Sequence, residues 1–468
     1  MKKTLIFLAF AISLIFALAI FGASAANEGT AIYDANGFKS ITSGNNYYFT
    51  NDIDLGGLVI DSYLFEEFSG TIDGNGYTLH NFSIVGNNDG LNDSGIIKVA
   101  GTNGSVTIKD LVIGEPNAPI ECTNMKKNHG VLMGATKANS VHPIRIENVT
   151  IYANIHGGRN ATCNYGGFIG LCQASEIALV NCKMYGSVEA GASKDTLATD
   201  YKNAAGFVAV VQGSQGTNPV YITFENCENH ADVIVNPSSK EARAAGFVAY
   251  NVAPMSFVGC KNYGNITARN YEVYHTNPML RYYPSDSYVA GFVTHAAKTN
   301  VSLESCENHG KLTGTNYIGS MVARTGAVEF DLKIVNCVNT GVYTSNAVYG
   351  GAVVGLLEST VNYTETNFTN SGSTEEFVTQ TYAEDLNTTE KPADTTAPSD
   401  EDEVTTTEEV TTTKKPEDNT TKTPDDTTAA PTTNAPATNE KSCGSFAGVG
   451  ALAVIIVSVF GCAIIKKK

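Results

Sequence analysis

Few side chains in this 468-residue chain have the type and spacing for chemistry, and most of those recur at regular intervals. Asp52 and Asp54 share one strand face, with Asp73 in the next strand, and together they offer the hard oxygen ligands that calcium prefers. The same residues suit the turns and caps of a first structural repeat, which is the stronger expectation. Glu228 and Glu307 have the chemistry of general acids or bases. They alternate with Lys183 and Lys261 at equivalent places, however, which predicts a solvated ladder of weak exposed ion pairs. His230 and His309 sit at equivalent corners, but Tyr185 and Tyr263 fill that corner in other repeats. A metal would need adjacent ligands, so no metal site is expected there.

The segment Arg269 to Tyr288 departs furthest from the repeat and gathers Tyr271, Tyr274, Tyr282, Tyr283 and Tyr288 beside Arg269, Arg281, Glu272 and His275. Long loops on a rigid scaffold are where binding residues concentrate. Tyrosines there can stack on sugar rings while the charged groups bond to hydroxyls, so Tyr271, Tyr274, Tyr282, Tyr283, Tyr288, Arg269 and Arg281 are the predicted ligand-binding residues. Tyrosines packing over a solenoid face are the competing reading, and the lack of any Trp weakens the sugar case.

No Gly-x-Ser-x-Gly elbow, phosphate loop, His-Glu-x-x-His or paired CxxC is present, so no catalytic residue and no cofactor is predicted. Net charge is −17, but residues 373 to 441 hold 17 acidic side chains against 5 lysines. The rest is only mildly acidic, and without a basic patch nucleic acid is not an expected partner.

What must position these residues is a repeat. VTIKDL (106–111), IRIENV (144–149), IALVNC (177–182), ITFENC (222–227), MSFVGC (255–260), VSLESC (301–306) and LKIVNC (332–337) each read as a period-2 strand broken by a turn residue. A Gly- or Ala-led segment precedes each: GVLMG from Gly130, GGFIG from Gly166, AGFVA from Ala205 and Ala245, AGFVT from Ala290 and GSMVA from Gly319, with GGAVVG from Gly350 closing the series. A third segment follows at Ile155, Val188, Val233, Ile266, Leu312 and Tyr343. Three short strands per unit at variable spacing predict an all-β, three-faced parallel β-helix of about nine coils, roughly 40 Å long at about 4.8 Å per coil.

Column chemistry supports that register. Leu111, Val149, Cys182, Cys227, Cys260, Cys306, Cys337 and Phe368 form one column in which cysteine replaces Val and Leu as a small buried hydrophobe. Parallel Cβ vectors are awkward for disulfides, so free thiols are expected there, while Cys122, Cys163 and Cys172 lie outside the column and leave a bridge open. Asn229, Asn262, Asn308, Asn339 and Asn370, two positions on, are expected to take left-handed corners and to bond to the Asn of the next coil.

GGFIGLCQASEIALVNCKMYGSV at 166–188 resembles the GLUG repeat of large bacterial surface and secreted proteins, and YYFTNDIDLGG (47–57) with FSGTIDGNGYTLHNFSI (68–84) is similar to the opening coil of such arrays. The resemblance covers most of residues 47 to 372. It implies a right-handed parallel β-helix outside the cell and no particular reaction. Ala205, Ala245 and Ala290 depart from the first Gly of the motif, and Tyr363 and Glu365 replace apolar residues in a last coil expected to act as a cap.

The ends set the expected compartment. Lys2 and Lys3, an apolar run from Leu5 to Phe21 and the small residues 23–25 predict a signal peptide over 1–25. The ectodomain is then 26–372, and the Thr-, Pro- and acid-rich stretch 373–441 predicts an extended stalk of about 100 to 200 Å. In 442–468, the uncharged run Phe446 to Ile465 followed by three lysines predicts a transmembrane anchor with a cytoplasmic stub. The tail KSCGSFAGVGALAVIIVSVFGCAIIKKK is similar to those of surface proteins from clostridial-type Gram-positive anaerobes. The expected function is a cell-surface adhesin or glycan-binding module whose partners are extracellular glycans or a host or neighbouring cell surface. The alternative is a polysaccharide lyase or glycoside hydrolase on the same scaffold.

Overall fold

A computed structural model of the chain describes residues 29–375 apart from 87–92, 126, 158–161, 175, 192–200, 214–219, 237–240, 269–285 and 345. The predicted signal peptide, the stalk beyond 375 and the anchor therefore lie outside the described residues, all of which belong to one unit within Met1–Thr389. No helix among the described residues is long and apolar enough to cross a membrane.

The chain is a parallel β-solenoid. Strands of successive coils pair in parallel and in register, for example Ile146↔Leu179, Leu179↔Phe224, Phe224↔Phe257, Phe257↔Leu303 and Leu303↔Ile334. The third predicted strand stacks as expected, Ile155↔Val188↔Val233↔Ile266↔Leu312↔Tyr343. Its inward side chains and those of the strand before the cysteines meet in one continuous apolar core.

Two differences from the expected architecture have clear causes. Among the described residues the longest ladder stacks eleven strands, because Thr30–Ile32 and Asn45–Phe49 add coils that carry no Cys-column marker. In addition, each Gly- or Ala-led segment is two strands rather than one, as in Cys163–Gly166 and Ile169–Cys172. The chain turns sharply between them, since a Cβ at Gly166 would stand 2.1 Å from the Ile169 carbonyl oxygen. The result is two sheets, one of 25 strands and one of 16. The smaller doubles back on itself at Asp93–Ala100, which pairs with both Asn128–Gly130 and Met133–Thr136.

The two halves of the doubled sheet touch backbone to backbone along a seam of Gly and Ala. A Cβ at Gly134 would lie 2.5 Å from the Ser94 nitrogen, and one at Gly170 would lie 2.5 Å from the His129 nitrogen. Ala205, Ala245 and Ala249 form their own small cluster along this seam, apart from the main core. Two of the alanines that depart from the repeat motif, Ala205 and Ala245, are therefore seam residues, while Ala290 packs with Tyr288, Tyr317 and Ala323.

Inside, like stacks on like. Phe168, Phe207, Phe247 and Phe292 stack face to face at 4.8 to 4.9 Å, with Phe224 and Phe257 set edge-on against them. Asn229, Asn262, Asn308, Asn339 and Asn370 form the expected amide ladder, each Nδ2 donating to the next Oδ1 at 2.8 Å. Their backbone is not left-handed, however. That conformation falls just before the cysteine column, at Asn148, Asn181, Asn226, Ser305, Asn336 and Asn367. The polypeptide turns at that point, whereas the amide ladder sits inside the turn, with Asn229, Asn262, Asn308 and Asn339 buried and bonded also to the carbonyl two residues on. All eight cysteines of this region are free and buried, including Cys122, Cys163 and Cys172. Cys122 stacks between Ile84 and Ile155 in the third-strand column, so it packs as they do and is not bridged.

The solenoid is closed differently at its two ends. At the N-terminal end the single turn of helix Ala35–Lys39, capped by Asp34 accepting from the Gly37 N–H at 2.7 Å, lays Phe38 against Phe49 and Phe65. At the other end the last strands, Tyr349–Gly351 through Thr374–Glu375, pair on one side only among the described residues, and Tyr363 and Phe368 are half-covered.

Two substitutions test the packing. Gly206→Ala would place a Cβ 2.1 Å from Asn229 Oδ1 and 2.4 Å from the Gly246 carbonyl oxygen, and should cost about 3 kcal/mol in chemical denaturation. Cys260→Val should lie within about 1 kcal/mol of wild type while Cys260→Asp costs several, because the aspartate would bury an unpaired charge. Equal tolerance of the two Cys260 variants would show that the column is not interior.

Candidate functional site

The exposed groups that could be read as catalytic pair among themselves. Lys183, Glu228, Lys261 and Glu307 are register neighbours, bridged at 3.1 Å between Lys183 and Glu228 and again between Lys261 and Glu307. Partial burial works against ionising Glu228, but hydrogen bonds from His230 and Lys183 outweigh it and hold its carboxyl below the ordinary range; Glu307 behaves alike with Lys261 and His309. The corner residues form a single ring stack, Tyr152–Tyr185–His230–Tyr263–His309, at 4.4 to 4.9 Å. Each inner ring has both faces covered by its neighbours, so the stack presents edges and leaves no open face for a ligand.

The acidic trio is likewise engaged. Asp52 accepts the Thr78 N–H at 2.8 Å, while Asp54 accepts the Gly56 N–H at 2.8 Å and the Asn81 amide at 2.7 Å. Asp73 accepts the Asn75 N–H at 2.8 Å and pairs with Lys109 at 2.6 Å. Among the described residues no three His, Cys, Asp or Glu side chains converge on a metal position.

Away from its Gly/Ala seam the doubled sheet splays into a wedge, and polar side chains gather in its mouth. Arg243, Tyr288, Tyr317 and Tyr349 are register neighbours on one wall, as are Tyr250, His295, Arg324 and Leu356 on the other. The Arg243 guanidinium, on a residue only 5% exposed, lies 4.6 Å from the Tyr250 ring, 5.1 Å from Tyr201 and 5.7 Å from Tyr288. It also pairs with Glu241 and donates to Asn203 Oδ1 at 3.0 Å. The Arg324 guanidinium stands over Tyr317 at 5.2 Å and donates to the Tyr288 hydroxyl at 3.3 Å. Arg243 Nε, Arg324 Nε and His295 Nδ1 are buried and carry no hydrogen bond. Against the aromatic faces the two arginines gain cation–π attraction instead. Burial, with the two guanidiniums adding repulsion, pushes His295 down to about 3, so it is neutral in this setting.

Of the predicted ligand-binding residues, Arg269, Tyr271, Tyr274, Arg281, Tyr282 and Tyr283 lie outside the described residues. Tyr288 is 1% exposed, with Tyr317 stacked at 4.7 Å and His295 at 5.8 Å, so it is a wall of the wedge rather than an open stacking surface. Tyr349, 41% exposed at the end of this column, keeps the more open ring. Tyr201, Glu241 and Asp286 begin adjacent strands in register. The chain between coils therefore re-enters the sheet three times side by side here, after residues 200, 240 and 285.

Two buried polar features were not among the predicted sites, although the first has a signal: Asn128, Asn164, Asn203 and Arg243 stand two residues before Gly130, Gly166, Ala205 and Ala245. One is an amide ladder in which Asn128 donates to Asp93 at 2.6 Å, Asn164 to Asn128 at 2.6 Å and Asn203 to Asn164 at 2.7 Å, and which ends on Arg243. The other is His129, fully buried, held through Nδ1 by Ser94 Oγ at 3.0 Å with Nε2 unpartnered, and pushed down to about 3 by burial.

Comparison with known proteins adds little. No family model and no curated protein matches the chain. One solved structure, described as a putative immunoglobulin A1 protease from Bacteroides ovatus, is 14% identical with a TM-score of 0.38, covering 75% of this chain and 86% of that one. A likeness that slight carries no argument about what this chain does.

The buried imidazoles set a pH dependence. Both fold neutral with values near 3, against 6.5 when unfolded. The unfolded chain therefore binds more protons between those values, and this contribution to stability is fully present above about pH 6.5 and is lost as pH falls toward 3. Between pH 6.5 and 5 the pair should remove roughly 2 to 4 kcal/mol. His129→Gln should flatten that slope in urea titrations at the two pH values, and an unchanged slope would show that His129 does not titrate on unfolding.

Proposed function

We propose that this chain is a cell-surface β-solenoid of the GLUG-repeat kind that binds extracellular glycan without catalysis at the mouth of the wedge. On this reading residues 1–25 export the chain, 442–468 anchor it and 373–441 form the stalk. The solenoid is right-handed, as the repeat resemblance implies. One observation carries the reading: the strands at Tyr201, Glu241 and Asp286 start side by side. The strand that follows the tyrosine-rich segment in sequence therefore begins beside the Arg243–Tyr288–Arg324 cluster. Sugar hydroxyls both donate and accept, which suits a mouth holding guanidinium groups, a neutral imidazole and the carboxylates of Asp286, 3.4 Å from the Tyr288 hydroxyl, and Glu358, 3.6 Å from the Arg324 guanidinium. Counting those two with Glu241 against two arginines, the mouth carries no excess of positive charge, which disfavours an anionic ligand.

The test is a glycan array probed with the full-length chain, with release of reducing ends followed in parallel. Tyr250→Ala, Arg324→Ala and deletion of 270–285 should each lower binding at least tenfold, while Tyr185→Ala on the other sheet should leave it intact. The deletion stops at 285 because Asp286 begins a strand. Undiminished binding by variants that keep cooperative unfolding would overturn the site, and reducing-end release would overturn the non-catalytic reading. If the deletion variant does not fold, the two point variants decide.

A further inference from the structure

The five-cysteine column places like thiols at one position of five consecutive coils. Cys182, Cys227, Cys260, Cys306 and Cys337 stand in consecutive coils, all fully buried, and the register is fixed on their flanks by pairs such as Glu228↔Lys261 and Lys261↔Glu307. Each Sγ leans toward the carbonyl oxygen two residues before it, at 3.3 to 3.5 Å, so the five thiols point alike. Neighbouring thiols therefore stand one coil apart and point the same way.

Spacing decides what such a column can do. In-register parallel strands lie about 4.8 Å apart, and parallel Cβ vectors keep the side chains at that separation. A disulfide needs its Cβ atoms at about 3.5 to 4.5 Å and its sulfurs at about 2.05 Å, so it would have to pinch two coils together. A linear sulfur–metal–sulfur bridge with bonds of about 2.3 Å spans about 4.6 Å and fits with little movement. Tetrahedral coordination is not available, because no three ligands converge among the described residues. Charge narrows the choice further: two thiolates with a divalent ion make a neutral unit, whereas a monovalent ion would leave a net charge in the apolar core.

We propose that adjacent cysteines of this column form a binding site for a soft divalent cation with linear two-coordinate preference, of the mercuric class. The step is a ligand exchange without redox change: two S–H bonds and the ion's two bonds to chloride or water break, two sulfur–metal bonds form, and two protons leave to solvent with the displaced ligands. Five thiols in line accommodate two ions and leave one thiol over. Entry is from the C-terminal end of the column, where among the described residues the final coil, through half-buried Phe368, covers Cys337.

The experiment loads the reduced, metal-free full-length chain with mercuric chloride, strips weakly held ions with excess monothiol and counts the metal retained. Cys227→Val with Cys306→Val removes every neighbouring pair while leaving three column thiols, and Val already occupies this column at Val149. Wild type should retain two ions more than this double variant, whereas Cys163→Val with Cys172→Val should retain as many as wild type. Equal retention by wild type and the column variant overturns the site. Should the Val pair fail to unfold cooperatively, the Ala pair at the same positions serves, with the same two outcomes.

Discussion

Every coil of this protein lies directly on the one before, in parallel and in register, at the spacing of backbone hydrogen bonds. Each side chain is therefore placed next to the residue at the same position of the neighbouring coil, and the sequence must supply, column by column, groups that tolerate their own company. Phenylalanine rings do so by stacking, asparagines by chaining amide to amide, and cysteines by their small apolar bulk. Lysine and glutamate do so only by alternating, as they do at Lys183, Glu228, Lys261 and Glu307. The Gly/Ala seam follows from the same rule, because one bulky residue there would part the two halves of the sheet along several coils.

That rule explains which parts were legible in the sequence. The cysteine column, the outward charge ladder, the third-strand column from Ile155 to Tyr343 and the asparagine ladder all recur at fixed offsets from a recognisable strand, so spacing alone places them. The bend inside each Gly- or Ala-led segment was hidden, since a run of five or six small and apolar residues reads equally as one strand or as two. The ladder from Asp93 to Arg243 was hidden for another reason. Its asparagines do stand at a fixed offset, two residues before Gly130, Gly166 and Ala205, but the column changes to Arg243 and then to tyrosines, so no one residue type recurs along it. His129 occupies an interior place filled by Ser94, Tyr165 and Ala204 in neighbouring coils, and nothing in that series announces an imidazole.

The wedge shows how a repetitive scaffold acquires a singular place. Along most of the solenoid the ring stacks and ion pairs use up their own bonding capacity and leave little for a ligand. At the mouth of the doubled sheet the columns change character within two coils, from amides at Asn164 and Asn203 to Arg243 and then to tyrosines. Unlike residues meet across the wedge there, and three nitrogen atoms are left without a hydrogen bond. Departure from repetition, more than any one residue type, distinguishes this region from the rest of the surface.

The ladder running from Asp93 through Asn128, Asn164 and Asn203 to Arg243 has a direction, because every amide donates toward Asp93 and accepts from the Arg243 side. An anion ends one side of it and a cation the other, so each coil in this stretch has an ordinal position. Duplicating or losing a whole coil is the ordinary route by which repeat arrays change length, and a strictly periodic column would absorb it. Between these two charges such an event changes the number of amides that join them, or brings one charge against a partner of the wrong kind. The stretch acts as a tally of its own coils, and growth or shrinkage of the array is freer outside it.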